Sequence, residues 1–206
     1  MTPRGEAKHR AILEAATELF LANGYRGTSM DEIAALAAVS KQTVYKHFAD
    51  KEALFSEIVV ATVAEASDRV HAEVVELADS GDLEEDLGDL ARRQLRMVMQ
   101  PRLLQLRRLV IGEAGRFPEL GRTFYERGPG RTVAALADTF ARLAERGLLA
   151  IDGDARAAAE HFNWLVMSAP LNRAMLLGRD EPPPARELRR YADEGVRAFL
   201  AAYGRR

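Results

Sequence analysis

The chain has 206 residues, 48% of them hydrophobic and 29% charged, and a net charge of −2, which describes one or two folded domains and excludes a disordered polyelectrolyte. Cysteine is absent, so disulfides, thiolate metal sites and cysteine nucleophiles are excluded. No apolar run approaches the roughly 18–20 residues of a membrane span, and MTPRGEAKHR lacks the apolar centre of a signal peptide; a cytoplasmic protein with no membrane partner is expected.

In chain order, Arg4, Lys8 and Arg10 stand against one Glu6, as a basic arm for phosphates or as a solvated helix start. From Arg10 to Ala22, Ile12, Ala15, Ala16, Leu19 and Phe20 keep helical spacing. Asn23-Gly24 ends that helix, with Gly24 suited to a left-handed cap, and Tyr25 is expected in a small core. Thr28 or Ser29 offers a hydroxyl to a phosphate at the next helix start.

The stretch SMDEIAALAAVSKQTVYKHF, from Ser29 to Phe48, holds two short helical patterns joined by a tight turn. Ser29 and Glu32 have capping-box spacing, and Ser40 can cap the second helix. Ala34, Val39 and Val44 would form the small core of a helix-turn-helix, which presents its second helix to a major groove. The outward Lys41, Gln42, Thr43, Tyr45, Lys46 and His47 include no acidic residue, so this face suits phosphates and base edges. The alternative is a solvated helix-turn-helix in an ordinary bundle.

At these residues TSMDEIAALAAVSKQTVYKHFADKEAL resembles the DNA-binding signature of the TetR family of bacterial repressors. The resemblance extends back over AILEAATELFLANGYRGTS and covers about residues 8–58. It implies double-stranded operator DNA as partner, with Tyr45, Lys46, His47 and Lys51, together with Thr28 and Ser29, on phosphates, and Lys41, Gln42 and Thr43 facing bases. Two positions depart from the pattern. Ala38 stands where the turn usually has Gly, so a left-handed conformation would cost about 1 kcal/mol there. Gln42 also replaces a frequent Gly and adds an amide that can reach a base.

Asp50 and Glu52 open a helix with Leu54, Phe55, Ile58 and Val59 on its apolar face, running without Pro or Gly to about Asp79. An element of that length spans both halves of the protein. Ser80-Gly81-Asp82 is a break, and Leu83 to Met99 makes another helix closed by Pro101. Leu103 to Ala114 follows, ended by Gly115. GEAGRFPELGRTFYERGPG looks like the ligand-binding half of the AefR-like TetR regulators, a looser resemblance over about residues 101–180. Pro129 starts a helix reaching Gly147; Asp152 or Asp154 starts the next, which Pro170 kinks and Gly178 ends. These two, 129–147 and 154–178, resemble the pair through which family members form a four-helix bundle between two subunits. Glu181 to Pro184 is a stiff connector, Leu188 to Tyr203 marks a last helix, and Arg205-Arg206 reads as a frayed end.

The expected fold is all-α: residues 1–54 a three-helix DNA-binding domain, 55–206 a helical ligand-binding and dimerisation domain. No enzyme signature and no cofactor motif is found. His9 and His71 read as exposed, and His161 beside Glu160 cannot share a helix face for a metal. Met97, Phe117, Phe124, Asn163, Trp164 and Met167 are the candidate pocket, bulky residues with polar partners, although such a set also describes ordinary core. The reading is a cytoplasmic, nucleoid-associated homodimeric repressor released by a small, largely apolar effector. A helix-turn-helix regulator without effector and an all-α protein-interaction module remain open.

Overall fold

A computed structural model describes residues 3–178 and 181–205. Among the described residues there are ten α-helices: α1 (Pro3–Asn23), α2 (Met30–Leu36), α3 (Lys41–His47), α4 (Lys51–Glu76), α5 (Leu83–Val98), α6 (Pro101–Glu113), α7 (Pro118–Arg127), α8 (Pro129–Glu145), α9 (Ala155–Leu177) and α10 (Ala185–Tyr203). A 3₁₀ turn, Leu77–Asp79, follows α4. The all-α expectation holds; the sole extended pairing among the described residues is an isolated bridge between Leu149 and Gly204.

The chain forms two compact units, Met1–Val63 with Gln105–Phe124, and Ala64–Leu104 with Tyr125–Arg206. The first contains the whole expected DNA-binding segment. Ile12, Ala16 and Phe20 of α1, Ile33 of α2, Val44 of α3 and Leu54, Phe55 and Ile58 of α4 make its core, joined by Leu106, Val110 and Leu120. Tyr25 is packed as expected, its ring 5.7 Å from Phe20, 5.2 Å from Phe55 and 5.2 Å from Phe117. Such aromatic clusters bury large area in a unit too small for many aliphatic layers.

In the second unit α9 lies against both α8 and α10. Phe140, Phe162 and Phe199, one from each helix, meet at its centre, all fully buried. Gly195 lets α10 approach α9 closely: a Cβ there would stand 2.8 Å from the Leu165 carbonyl oxygen. Arg146, at the C-cap of α8, donates to the carbonyls of Ala78 and Ser80, satisfying backbone where the 3₁₀ turn ends. Pro170 sits inside α9 and supplies no N–H for the helical ladder. Just before it, the Ala169 N–H donates to the Tyr191 hydroxyl of α10 at 3.2 Å.

Several expectations are corrected. Of the two readings of the basic start, the structure has the helix start: α1 begins at Pro3 and carries Arg4, Lys8 and Arg10. Pro101 opens α6 rather than merely closing α5; a proline at the first helical position gives up an N–H that has no partner in any case. Pro118–Arg127 is a helix not expected from the sequence. The C-terminus is pinned at Gly204 and Arg205: Ala150 N–H donates to the Tyr203 carbonyl at 2.7 Å and Arg205 N–H to Leu148 at 3.4 Å. Arg206, the rest of the expected frayed end, lies outside the described residues.

Ala38 adopts the left-handed conformation, φ +53°, the only such non-glycine among the described residues. It ends α2 in a Schellman turn: Val39 N–H donates to Ala34 O at 3.0 Å and Ala38 N–H to Ala35 O at 3.2 Å. The left-handed Cβ clash costs ~1–2 kcal/mol, against ~0.5–1 kcal/mol of extra chain entropy for glycine. Ala38→Gly should therefore raise stability by up to about 1 kcal/mol. A guanidinium chloride titration showing a lowered midpoint would mean that the turn relieves the clash in another way.

Candidate nucleic-acid interface

The geometry of the helix-turn-helix is set by its caps. Ser29 Oγ accepts from Glu32 N–H at 3.2 Å, while Ser29 N–H donates to Glu32 Oε2 at 2.7 Å, a complete capping box. The same hydroxyl donates to Glu32 Oε2 at 2.7 Å, and these bonds from Ser29 hold the Glu32 carboxyl below the usual range. Ser40 Oγ accepts from Thr43 N–H at 3.2 Å and opens α3. With Val44 fully buried and no acidic residue in its first turn, α3 has one orientation, apolar side in and donor side out.

On that outer side Gln42, Tyr45 and Lys46 are exposed, Tyr45 at 47% despite its size. Thr43 is half-buried and shares a 2.8 Å hydrogen bond with Ser40 Oγ. Lys41 is exposed and 2.8 Å from Asp31 of α2; that hydrogen bond and charge raise its pKa. It reaches a base only by leaving Asp31, an exposed pair of little energetic weight. His47 is half-buried. Partial burial first, then the charges of His9, Lys46 and Lys8, hold its imidazole below its ordinary value.

Three expected contacts are otherwise engaged. Thr28 is 2% exposed and its hydroxyl donates inward to Leu19 O at 3.1 Å and Gly24 O at 3.0 Å, closing the turn after α1. Lys51 Nζ donates to Tyr25 O at 2.8 Å and Thr28 O at 2.7 Å, and stands 4.5 Å above the Tyr25 ring. Burial, then the charge of Arg116, pulls its pKa down. Ser29, though exposed, already serves Glu32 with its hydroxyl.

Two of the histidines differ from expectation. His9 is half-buried, 2.6 Å from Glu57 and stacked on Phe48 at 4.9 Å, so it braces α1 against α4 beside the end of α3. His71 is half-buried, with Nδ1 unpartnered. His161 Nδ1 lies 2.5 Å from the Tyr203 hydroxyl.

The expected pocket set does not stay together as one group. Phe117 and Phe124 pack in the first unit, Phe117 against Tyr25 and Phe124 under the Arg107 guanidinium at 5.3 Å. Met97, Asn163 and Met167 belong to the second unit. Trp164 is there too, but 56% exposed on α9 beside exposed Leu165, so it faces away from the core in which a pocket would lie. The sequence reading missed Ser67 on α4 and Gln94 on α5, both buried. Their signal was present: each occupies an apolar position of its helix, Ser67 between Val63 and Val70, Gln94 between Leu90 and Leu95.

Comparison with known proteins agrees with this geometry. Residues 12–58 match the family of bacterial regulatory proteins of the tetR type, and residues 85–205 match the AefR-like transcriptional repressor C-terminal domain. The structure resembles a TetR-family transcriptional regulator from Mesorhizobium loti at 44% identity and a TM-score of 0.91, over 99% of this chain and 100% of that one. It also resembles the flavonoid-responsive regulator FrrA, at 33% identity and a TM-score of 0.72, over 97% and 98% of the two chains. A DNA-binding transcriptional repressor TetR of Mycobacteroides abscessus is 36% identical over 87 residues, 42% of each protein. Matched stretches in two further curated relatives span 30% and 33% of those proteins. These relatives are regulators, not enzymes. Among the described residues no helix is long and apolar enough to cross a membrane.

Proposed function

Because the chain belongs to the TetR family of bacterial transcriptional regulators, with an AefR-like C-terminal domain, we propose that it acts as a homodimeric repressor released from operator DNA by a small molecule. The observation that carries the DNA-binding part is the outer side of α3, where Gln42, Tyr45 and Lys46 are exposed, non-acidic and held in place by the Ser40 cap. Operators are two-fold targets, and a two-fold dimer brings one α3 to each half-site. For pairing, α9 offers the exposed Trp164 and Leu165, with Leu176 further along; large apolar surface of this kind marks contact faces. The pairing helices are then α8 and α9, within 129–147 and 154–178, and the working site is the nucleoid of the cytoplasm.

The roles on α3 separate by chemistry. Lys46 and Tyr45 meet phosphates, joined by His47; Gln42 reads a base edge, with Lys41 and Thr43 beside it at the helix start. Lys51, Thr28 and Ser29 serve by fixing the turn that aims α3. On the sensing side, the relative FrrA is flavonoid-responsive by name, which supports a small-molecule effector for this chain. Helix α4 contributes to both compact units. An effector that favours one position of α4 therefore shifts the population of operator-competent dimers.

Operator titrations by fluorescence anisotropy test the assignment. Lys46→Ala should weaken binding to all duplexes and lower the salt slope by about one. Gln42→Ala should cost ~1–3 kcal/mol on the preferred operator and little on others. Equal losses on every sequence for both variants would remove Gln42 from base readout.

A further inference from the structure

The second unit holds buried polar atoms that its own fold leaves unpaired. Ser67 Oγ and His71 Nδ1 stand one turn apart on α4, Gln94 Oε1 on α5 and Asn163 Oδ1 on α9. Ser67, Gln94 and Asn163 are 4%, 2% and 8% exposed. Their neighbours along each helix, Val70, Leu95 and Val166 among them, belong to one continuous apolar cluster. Ion pairs also tie these helices to one another, α5 to α4 by Arg93 and Glu73 at 3.0 Å and α8 to α4 by Arg131 and Asp68 at 2.6 Å.

Buried polar groups in folded proteins are normally paired, and each exception calls for a reason. The same unit shows what a structural polar group does: Thr139 Oγ1 donates to the Val74 carbonyl at 3.0 Å. Ser67 Oγ, Gln94 Oε1 and Asn163 Oδ1 instead sit at apolar positions of three helices with no hydrogen-bond partner. On the reading of this unit as a sensor, we infer that they are the polar points of an effector site for a neutral, mostly apolar molecule that carries hydroxyl groups. The three are uncharged, and a charged ligand desolvated among them would lack a counter-charge. A serine hydroxyl donates and accepts, and a primary amide offers either character according to which way it is turned. A hydroxyl matches all of them; a pure hydrocarbon matches none. Met167, buried on α9 beside this set, suits varied ligand shapes.

The test uses the full-length protein with biphenyl and 4,4′-dihydroxybiphenyl, a pair that differs only in hydroxyls. Equilibrium dialysis should find the diol bound about tenfold or more tightly than biphenyl. Gln94→Leu and Asn163→Leu should abolish that preference while raising the ligand-free Tm by about 2–4 °C each, because an unpaired buried group is replaced by a packed apolar one. The inference is overturned if neither probe binds, if the native protein binds both alike, if the preference survives both replacements, or if both replacements lower the ligand-free Tm. Operator release distinguishes the two levels of the argument. Biphenyl that releases operator as well as the diol does leaves the sensor standing and removes the hydroxyl site. A diol that binds these residues without releasing operator keeps the site and removes the sensor.

Discussion

Replacing Lys51 by methionine should lower the stability of the N-terminal unit by about 3 kcal/mol and take operator binding with it. Methionine keeps the apolar stem that packs along the helix but supplies no donor. The Tyr25 and Thr28 carbonyls, held by Nζ at 2.8 and 2.7 Å, then lose a charge-assisted partner in a turn with limited access to water. The cation above the Tyr25 ring is lost as well. That turn connects α1 to the capping box of α2, so freeing it loosens the α2–α3 pair relative to α1. The measurement is a thermal melt by circular dichroism beside an operator titration. Affinity lost with an unchanged melting temperature would return Lys51 to the phosphate contacts that sequence resemblance implies. Loss of both identifies it as the residue that fixes the turn.

Lys51 also shows where sequence reading ends. Helix periodicity, the Ser29–Glu32 box and the Ser40 cap are local, determined by residues three or four apart, and the structure has each where the sequence places it. The left-handed turn at Ala38 came from the family resemblance, in which that position usually carries Gly, and the structure has it there. The destination of a long flexible side chain is not local. Lys51 lies 26 residues from Tyr25 and reaches its carbonyl only because α4 passes beside the α1–α2 turn. Thr28 reads as a surface hydroxyl, although one acceptor, Gly24 O, is only four residues back; the turn after α1 brings the other, Leu19 O, within reach from nine residues away. The candidate pocket was the least legible part. Bulk and helical spacing select Phe117 and Trp164 equally, yet one packs on Tyr25 and the other faces solvent. Polar residues at apolar helix positions, Ser67 and Gln94, are the signal on which the inferred effector site rests. A set defined by bulky residues passes over them.

Truncating Phe162 to alanine should cost the second unit about 4 kcal/mol, the largest loss expected of any single core change here. Its ring is fully buried and meets Phe140 of α8 edge-on at 5.6 Å and Phe199 of α10 at 5.3 Å. Removing it takes away both edge contacts and leaves a cavity where α8, α9 and α10 meet. Collapse into that space is restricted: Gly195 already brings α10 against the backbone of Leu165, so α10 has no room to move inward there. The readout is built in, because Trp164 is the only tryptophan and lies two residues away on the exposed side of α9. Urea unfolding followed by Trp164 fluorescence should give a lower midpoint with an unchanged slope. The pairing of two chains should weaken in the same variant, since the α9 surface offered to a second copy is only as rigid as the phenylalanine cluster behind it. A native midpoint together with native dimerisation would show that α8 and α10 refill the cavity, and that the position of α9 is set elsewhere.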